Sequence, residues 1–264
     1  MLDILYRDDW LVAIDKPPGL LVHRSDLDRH ETRFAVQLLR DQLGRRVYPA
    51  HRLDKGTSGV LLFAFEPAVV RLMAGQFEAG EVEKVYLAVV RGWPPEAGTI
   101  DHALARKYDD YGRQLPTTEA QPALTHYRRL ATIELPVAVD RYPTARYALV
   151  ELRPQTGRQH QLRRHMKHIG HPIIGDATYG KGIHNRYFQS AFGCHRLLLA
   201  CVRLEFVHPV TGEKVGAGST VSQRDDAGGT VSDQFAALLE RFDWSQASAP
   251  CPAARPLAKQ AVSR

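Results

Sequence analysis

The stretch HRLDKGTSGVLL occupies residues 51–62 and places one carboxylate, Asp54, between basic residues and a glycine-rich turn. The apolar run from Val60 to Phe65 predicts a strand, and the glycines before it predict the loop that leads into it. Because Arg52 and Lys55 lie beside Asp54, their positive charge favours the ionised carboxylate. Asp54 is therefore a candidate nucleophile or ion-pair member, although an Asx turn without chemistry is the commoner role for such a residue.

The same stretch closely resembles the His-Arg-Leu-Asp-x-x-Thr-Ser-Gly signature of the RluA-type pseudouridine synthases, in which the aspartate is the catalytic residue. Further segments resemble motifs of that family, in the family's order, and together cover most of residues 3–210: Lys16-Pro17-Pro18-Gly19, Lys84-Val85-Tyr86, RPQTGRQHQLR at 153–163 and HPIIGD at 171–176. The family often has Leu-His-Ala in its last motif, where this chain has Leu199-Ala200-Cys201. That departure concerns packing or RNA contact. The resemblance implies an RNA-modifying isomerase with the pseudouridine synthase fold.

The composition predicts a globular protein, since 44% of the 264 residues are hydrophobic. Its three cysteines fit neither a disulfide framework nor a zinc site, so we expect a reducing compartment, the cytoplasm. No apolar run is long enough to span a membrane, and the N-terminus does not resemble an export signal. We expect a single catalytic domain over residues 1–245, without an S4-like RNA-binding domain, and a disordered tail over residues 246–264.

The spacing of apolar residues predicts an α+β fold, with a mainly antiparallel mixed sheet at the core and helices flanking it. Strands are predicted at 4–6, 11–14, 60–65, 82–90, 125–133, 147–152 and 197–206. Helices are predicted at 33–43, from Pro67 to a stop at Gly80, at 156–169 and at 232–242. In the third helix, Thr156 and Gln159 have the spacing of a capping box. We expect the polar residues 98–120 to form a surface loop that orders on RNA.

Residues 152–175 contain five lysines or arginines and four histidines but no acidic residue. A solvated helix face would normally interleave glutamate with lysine, so this distribution predicts a surface that faces phosphates. The histidines do not share one helix face, and no Cys, Asp or Glu completes a ligand set nearby, so we predict no metal site. We also predict no nucleotide cofactor, because the chain lacks a Walker or Rossmann phosphate loop.

The resemblance assigns roles to individual residues. Asp54 matches the catalytic aspartate, Arg163 the arginine that pairs with it, and Tyr86 the tyrosine that packs on the target base. Arg52 matches the arginine that occupies the space left by the flipped uridine, which must leave the stack to expose its reacting atoms. The remaining candidates for RNA contact are basic residues of the matched motifs and of the third predicted helix: Lys84, Arg158, Arg164 and Lys167.

Two segments, QPALTHY at 121–127 and RYPT at 141–144, resemble a short branch of the family that modifies a T-arm uridine of tRNA, at position 65. We therefore expect tRNA as the partner, no membrane partner, and a monomer. Alternatives are a member that modifies another tRNA or rRNA uridine, and an RNA-binding homologue without activity. A third alternative is an aspartate-dependent nucleoside hydrolase, which would release free uracil but needs a second, water-activating carboxylate that the Asp54 motif does not contain.

Overall fold

A computed structural model describes residues 1–24, 31–106, 115–116, 118–218, 233–242 and 244–246 of the chain. In this part of the chain the strands are β1 (Asp3–Arg7), β2 (Leu11–Lys16), β3 (Tyr48–Pro49), β4 (Ser58–Ala64), β5 (Glu83–Arg91), β6 (Ala97–Asp101), β7 (Leu104–Ala105), β8 (Ala120–Gln121), β9 (Leu124–Leu135), β10 (Ala145–Pro154), β11 (Leu199–Val207), β12 (Lys214–Gly218) and β13 (Ser245–Gln246). The helices are α1 (Ala35–Leu43), α2 (Pro67–Ala79), α3 (Gln161–His168), α4 (Gly182–Phe192) and α5 (Asp233–Arg241).

The main sheet has the strand order β1-β2-β4-β11-β5-β10-β9-β13, with β3, β6 and β12 added to β4, β9 and β11. Among the strand pairs of the described residues, only β4 and β11 run parallel, through Ser58 and Gly59 opposite Ala200 and Cys201. Strands β7 and β8 form a separate two-stranded sheet. The predicted α+β fold, with a mainly antiparallel mixed sheet and flanking helices, is confirmed.

Both faces of the central strands are buried. Along β5, Tyr86, Ala88 and Val90 pack in one hydrophobic cluster, while Val85 and Val89 pack in another. The first cluster includes buried residues of α1, α2 and α3, and the second includes buried residues of α4 and α5. Successive side chains of a strand point to opposite faces, so the helices cover the sheet on both sides. The core therefore holds the sheet rigid beneath the loops that connect its strands.

Local sequence signals predicted the ends of the second helix correctly but the start of the third helix wrongly. The second helix begins at Pro67 and ends before Gly80, which has a left-handed φ of 74°, as predicted. The third helix was predicted to begin at Thr156, but α3 begins at Gln161, and the predicted capping box is wrong. Thr156 instead donates its hydroxyl to Oε1 of Gln161 and accepts the backbone N–H of Leu124. A contact with β9 thus replaces the local cap.

Other parts of the fold differ from the sequence predictions. Residues 98–120 are not one loop, because β6 joins the main sheet beside β9 and β7 pairs with β8. Helix α4 was not predicted, since it buries only His184 and Phe188 and so lacks a full apolar stripe. No described helix is both long and apolar enough to cross a membrane. The predicted disordered tail lies outside the described residues from 247 onward.

Two glycines let separate loops meet at one edge of the sheet. A Cβ on Gly59, which has a φ of 102°, would lie 2.0 Å from the carbonyl oxygen of Cys201. A Cβ on Gly175, which has a φ of 80°, would lie 1.9 Å from the carbonyl oxygen of Arg196. Only glycine combines a left-handed backbone with such close approach. These contacts bring the Asp54 loop, the 175–176 turn and the start of β11 together.

Candidate active site

A cleft of about 880 Å³ opens at this edge of the sheet. Its walls come from the turn after β2, the loop before β4, the β7–β8 sheet, the start of α3 and the segments around Gly175 and Arg196. Asp54 lies in the cleft, with 29% of its side chain exposed. The loop holds its shape through the backbone N–H of Thr57, which donates to the carbonyl oxygen of Asp54 at 3.1 Å. A ligand in the cleft can therefore reach the Asp54 carboxylate.

Arg163 is the centre of the charged site. Its Nη1 donates to Oδ2 of Asp54 at 3.1 Å, so the structure brings these two residues together. Its Nε and Nη2 donate to the two carboxylate oxygens of Asp176, at 2.7 and 2.9 Å. Burial alone would lower the pKa of Arg163, but the hydrogen bonds and charges of Asp176 and Asp54 outweigh it and raise that pKa. Arg163 is thus a fixed cation shared by two carboxylates.

Asp176 belongs to the predicted HPIIGD motif, but sequence reasoning assigned it no role. Its side chain is 1% exposed, and it also accepts the backbone N–H groups of Thr178 and Tyr179 at 2.9 Å. Burial would raise the pKa of Asp176, yet the bonds from Arg163 dominate and the pKa is lowered. Asp176 is the buried partner that aims Arg163, whereas Asp54 is the partner that the cleft exposes. The bidentate geometry is the strong form of an arginine–carboxylate pair.

Lys16 fixes the other side of the Asp54 loop. Its side chain is fully buried, and Nζ donates to the carbonyl oxygens of Pro17, Leu20 and Lys55, at 3.0, 2.8 and 3.2 Å. Burial lowers the pKa of Lys16 to about 7, while the nearby charge of Asp54 acts in the opposite direction. The side chain ties the turn after β2 to the residue that follows Asp54. We call Lys16, Asp54, Arg163 and Asp176 the floor of the cleft.

The wall of the cleft consists of residues 102–106 and 120–124, which include β7 and β8. Side chains of α3 and of the residues just before it bind the backbone of this wall. Three of them donate to carbonyl oxygens: Arg158 to Pro122 at 3.1 Å, Gln161 to Leu124 at 3.0 Å and Arg164 to Ala105 at 2.9 Å. His165 Nε2 lies 3.0 Å from the carbonyl oxygen of His102. The wall is therefore held mainly through neutral backbone groups.

Tyr86 lies in β5, directly opposite Cys201 of β11 and Leu152 of β10. It is 8% exposed and belongs to the same hydrophobic cluster as Leu53, the residue before Asp54. Burial raises the pKa of Tyr86, and contacts with Cys201 and the charge of Asp54 act in the same direction. Its hydroxyl is therefore protonated at neutral pH. In the motif that departs from the family pattern, Ala200 stands in the histidine position and packs in the second cluster, whereas Cys201, in the alanine position, is the buried thiol opposite Tyr86.

The basic residues predicted to contact RNA fall into different environments. Arg52 and Arg158 are exposed and line the cleft. Lys167 is exposed on α3, with Nζ 5.9 Å from the ring centre of Tyr179. Lys84 is 8% exposed and lies 6.0 Å from the ring centre of Phe77, and burial lowers its pKa. The RNA contacts of all five residues stay predictions, and Lys84 differs from the other four in being buried.

The described residues contain no group of three or more His, Cys, Asp or Glu side chains that could hold a metal ion. The chemistry that the site itself offers is that of a single accessible carboxylate. Arginine fixes one of its oxygens, and basic side chains surround it. Such an arrangement favours a polyanionic ligand that presents an electrophilic carbon to Asp54.

Comparisons with known proteins identify relatives of this chain. A family model described as RNA pseudouridylate synthase matches residues 10–168. The chain is 48% identical to the tRNA pseudouridine synthase C of Yersinia pestis over 247 residues, which cover 93% of this chain and 92% of the relative. It is 45% identical to the tRNA pseudouridine synthase C of Vibrio parahaemolyticus over 247 residues, covering 93% and 96% of the two chains.

The solved structure of Human RNA Pseudouridylate Synthase Domain Containing 1 is similar as well. It has a TM-score of 0.63 and 27% sequence identity, and the match covers 83% of each chain. The similarity therefore extends from the signature residues around Asp54 to most of the fold. On this evidence the chain belongs to the RNA pseudouridylate synthase family.

Proposed function

We propose that this protein converts a single uridine of tRNA to pseudouridine, in the T arm at position 65, with Asp54 as the catalytic residue. The observation that carries the proposal is the Asp54–Arg163–Asp176 arrangement, in which one carboxylate is open to a basic cleft and the other is buried. The names of the relatives support tRNA as the substrate. The similarity of segments 121–127 and 141–144 to the T-arm branch supports the position.

The proposed reaction is an isomerisation. The bond between C1′ of the ribose and N1 of uracil breaks, the base rotates, and a bond between C1′ and C5 forms. The proton on C5 is lost and N1 gains a proton, so no atom enters from outside. Asp54 supplies the group that stabilises or traps the sugar, and the cleft retains the free base. Arg163 holds Asp54 by one oxygen, which leaves the other oxygen for the sugar.

We assign Tyr86 and Arg52 to substrate binding: Tyr86 contacts the target base, and Arg52 replaces that base in the RNA stack. We assign Tyr86 to the face of the target base, where stacking on an aromatic ring contributes roughly 1 to 3 kcal/mol. Arg52 is exposed at the rim of the cleft, beside Asp54 in sequence, where a side chain can replace an extruded base. Lys167 and Arg158 contact phosphates, and the exposed Arg158 does so in addition to its bond to the wall. The half-buried Arg164 serves RNA binding through the wall that it holds.

The hydrolase alternative is disfavoured by the environment of Asp176. A hydrolase needs a second carboxylate that can activate water. Asp176 is the carboxylate that shares Arg163 with Asp54, but it is buried and accepts four N–H groups. Its burial and these bonds keep it an ionised partner of Arg163, which disfavours a role in activating water. The inactive-homologue alternative is disfavoured because Asp54, Arg163 and Tyr86 are all present, with the first two in contact.

We propose a monomer as the working unit, because the Asp54–Arg163–Asp176 arrangement is complete within one chain. A tRNA substrate also supports the cytoplasm as the site of action. Neither proposal affects the chemistry assigned to Asp54.

The proposal is tested by incubating the purified protein with a T-arm-containing tRNA transcript and mapping pseudouridine by sequencing. We expect one modified uridine in the T arm and no free uracil. The Asp54→Asn variant should form none, while the control Asp41→Asn, at an exposed position outside the cleft, should act like the wild type. Modification at another tRNA or rRNA uridine would overturn the T-arm assignment alone. Release of free uracil would support the hydrolase.

A further inference from the structure

His160 is the residue of the cleft with the least common backbone. It has a φ of 55°, and it is the only non-glycine residue with a positive φ among the described parts of the chain. A left-handed backbone is disfavoured for a residue with a Cβ and persists where the surrounding structure enforces it, often at functional sites. Its side chain makes no capping hydrogen bond to α3, so helix capping does not account for the histidine.

The conformation places the imidazole beside the catalytic carboxylate. Nε2 of His160 lies 3.9 Å from Oδ1 of Asp54, whereas Arg163 binds Oδ2 of the same carboxylate. His160 is also one of the residues that line the cleft. The two oxygens of Asp54 therefore face two different side chains, and a sugar bound at Asp54 would lie within reach of the imidazole edge.

Tyr179 fixes the ring. Its hydroxyl lies 3.1 Å from Nδ1 of His160, and the two rings meet edge to face, with centres 5.6 Å apart. Tyr179 is itself buried, and the guanidinium of Arg163 lies 5.1 Å from its ring centre. If the tyrosine hydroxyl donates to Nδ1, the proton of the neutral imidazole is on Nε2 and points towards the Asp54 carboxylate. Attraction between that N–H dipole and the negative charge favours this tautomer.

The charges around His160 are balanced. The groups that face it are Asp54, Arg163, Asp176, Arg164 and Tyr179. Burial lowers the pKa of His160, with Asp54 opposing and Arg163 adding to that effect. The imidazole is therefore neutral at neutral pH.

We propose that His160 is a positioning residue for Asp54. At 3.9 Å its Nε2 lies beyond hydrogen-bond distance of Oδ1, and it limits the movement of that oxygen through its N–H dipole and its bulk, while Arg163 binds Oδ2. The inference rests on the proposed function, since it concerns the orientation of the catalytic carboxylate. With Arg163 bound to Oδ2 and the imidazole beside Oδ1, the carboxylate keeps one orientation, and Oδ1 stays open to the sugar. The left-handed backbone of His160 and its contact with Tyr179 position the imidazole beside Asp54.

The test uses His160→Gly, because glycine accepts the left-handed backbone without strain. We expect this variant to keep the thermal stability and tRNA affinity of the wild type. Its single-turnover rate at saturating enzyme should fall by about tenfold to a hundredfold, the range that a small misplacement of a reacting group produces. Added imidazole should restore a substantial part of the rate, whereas sodium chloride at equal ionic strength should not.

Two further variants separate positioning from a purely structural role. His160→Asn also accepts a left-handed backbone but is too short to reach Asp54, so it should be as slow as His160→Gly. Tyr179→Phe should slow turnover by a smaller factor and should cause no further loss in the His160→Gly background, because both act through one ring. Asp41→Asn, at an exposed position outside the cleft, serves as the control and should match the wild type.

The outcomes are distinguishable from a failure of the proposed function. If the wild type forms no pseudouridine, the function itself is wrong. If the wild type is active and His160→Gly turns over equally fast, the positioning role is wrong while the function stands. A slow His160→Gly variant that imidazole does not restore would also overturn the inference, since the loss would then come from the backbone.

Discussion

The floor and the wall of the cleft are both held by α3 and its N-terminal residues, but through different kinds of interaction. The floor is a network of charges, in which Arg163 joins the exposed Asp54 to the buried Asp176. The wall is held by hydrogen bonds from side chains to backbone carbonyl oxygens, such as the bond from Arg164 to Ala105. One helix thus assembles a reactive site on one side and a shaped surface on the other.

Arg163 and Arg164 show the difference most directly. Successive residues of an α-helix point about 100° apart, so neighbouring arginines serve different sides of the cleft. Arg163 is largely buried, and its loss would leave Asp176 without its main counter-charge. Arg164 is half-buried, and its loss would break a hydrogen bond to an uncharged group. Substitutions in the floor should therefore lower the reaction rate and the stability, whereas substitutions that loosen the wall should lower the affinity for tRNA.

The largest expected effect is that of Asp54→Asn on the floor. Removing the charged oxygen should lower the single-turnover rate by at least about a thousandfold, the scale of loss when a directly acting group is removed. Affinity for tRNA should remain within a few-fold of the wild type, because the basic residues are untouched. Product formation and filter binding measure the two quantities. Retained turnover would show that the floor does not carry the chemistry.

Arg163→Ala should lower both activity and stability. It leaves the buried Asp176 carboxylate unpaired, and breaking a buried pair costs about 3 to 5 kcal/mol. Urea unfolding followed by circular dichroism gives the free energy of unfolding. Arg164→Ala is the matched control and should lose about 1 kcal/mol, the value of an ordinary hydrogen bond. Equal losses in the two variants would remove the distinction between floor and wall.

Acid should weaken the floor through Asp176. Its pKa is lowered in the folded protein, so its stabilising contribution is fully present above the unfolded value of about 4. The contribution is lost as the pH falls from there through the folded pKa, because the unfolded chain then binds the proton more readily. Asp176→Asn should show a shallower loss of stability than the wild type as the pH falls below about 4. Parallel pH profiles would contradict this role of Asp176.

The smallest expected effect separates direct from indirect RNA contacts. In an Asp54→Asn background, Lys167→Gln should flatten the slope of log affinity against log salt by about 0.7 to 0.9, as expected for one lost phosphate contact. Arg164→Gln should weaken binding with the slope unchanged, because its guanidinium already binds a carbonyl oxygen of the wall. An equal change of slope for both variants would make Arg164 a phosphate contact and would detach it from the wall.

Much of this protein could be predicted from its sequence where the signal is local. The hairpin around Asp8, the start of α2 at Pro67 and its end before Gly80 depend on turn and helix-end chemistry that neighbouring residues determine. The antiparallel α+β class followed from the same patterns. Asp54 was selected as a candidate catalytic residue because of the motif around it, and the comparisons confirmed the family that this motif suggested.

The remaining features depend on contacts between distant parts of the chain. Thr156 has a good local cap signal, but its hydroxyl accepts an N–H from β9 and α3 begins later. Asp176 gained a role only because the turn at Gly175 approaches Arg196 closely enough to bring it to Arg163.

The amino-acid sequence by itself determined most of the strands and helices, the fold class and the family, because these follow from short-range patterns and residue chemistry. Three features were decided only by the tertiary structure. Arg163 binds Asp176 with two hydrogen bonds, Arg164 binds the wall, and His160 lies beside Asp54. Charge and hydrogen-bonding capacity belong to residues, but their partners are set by packing of distant segments. That packing is encoded by the whole chain and not by any local stretch.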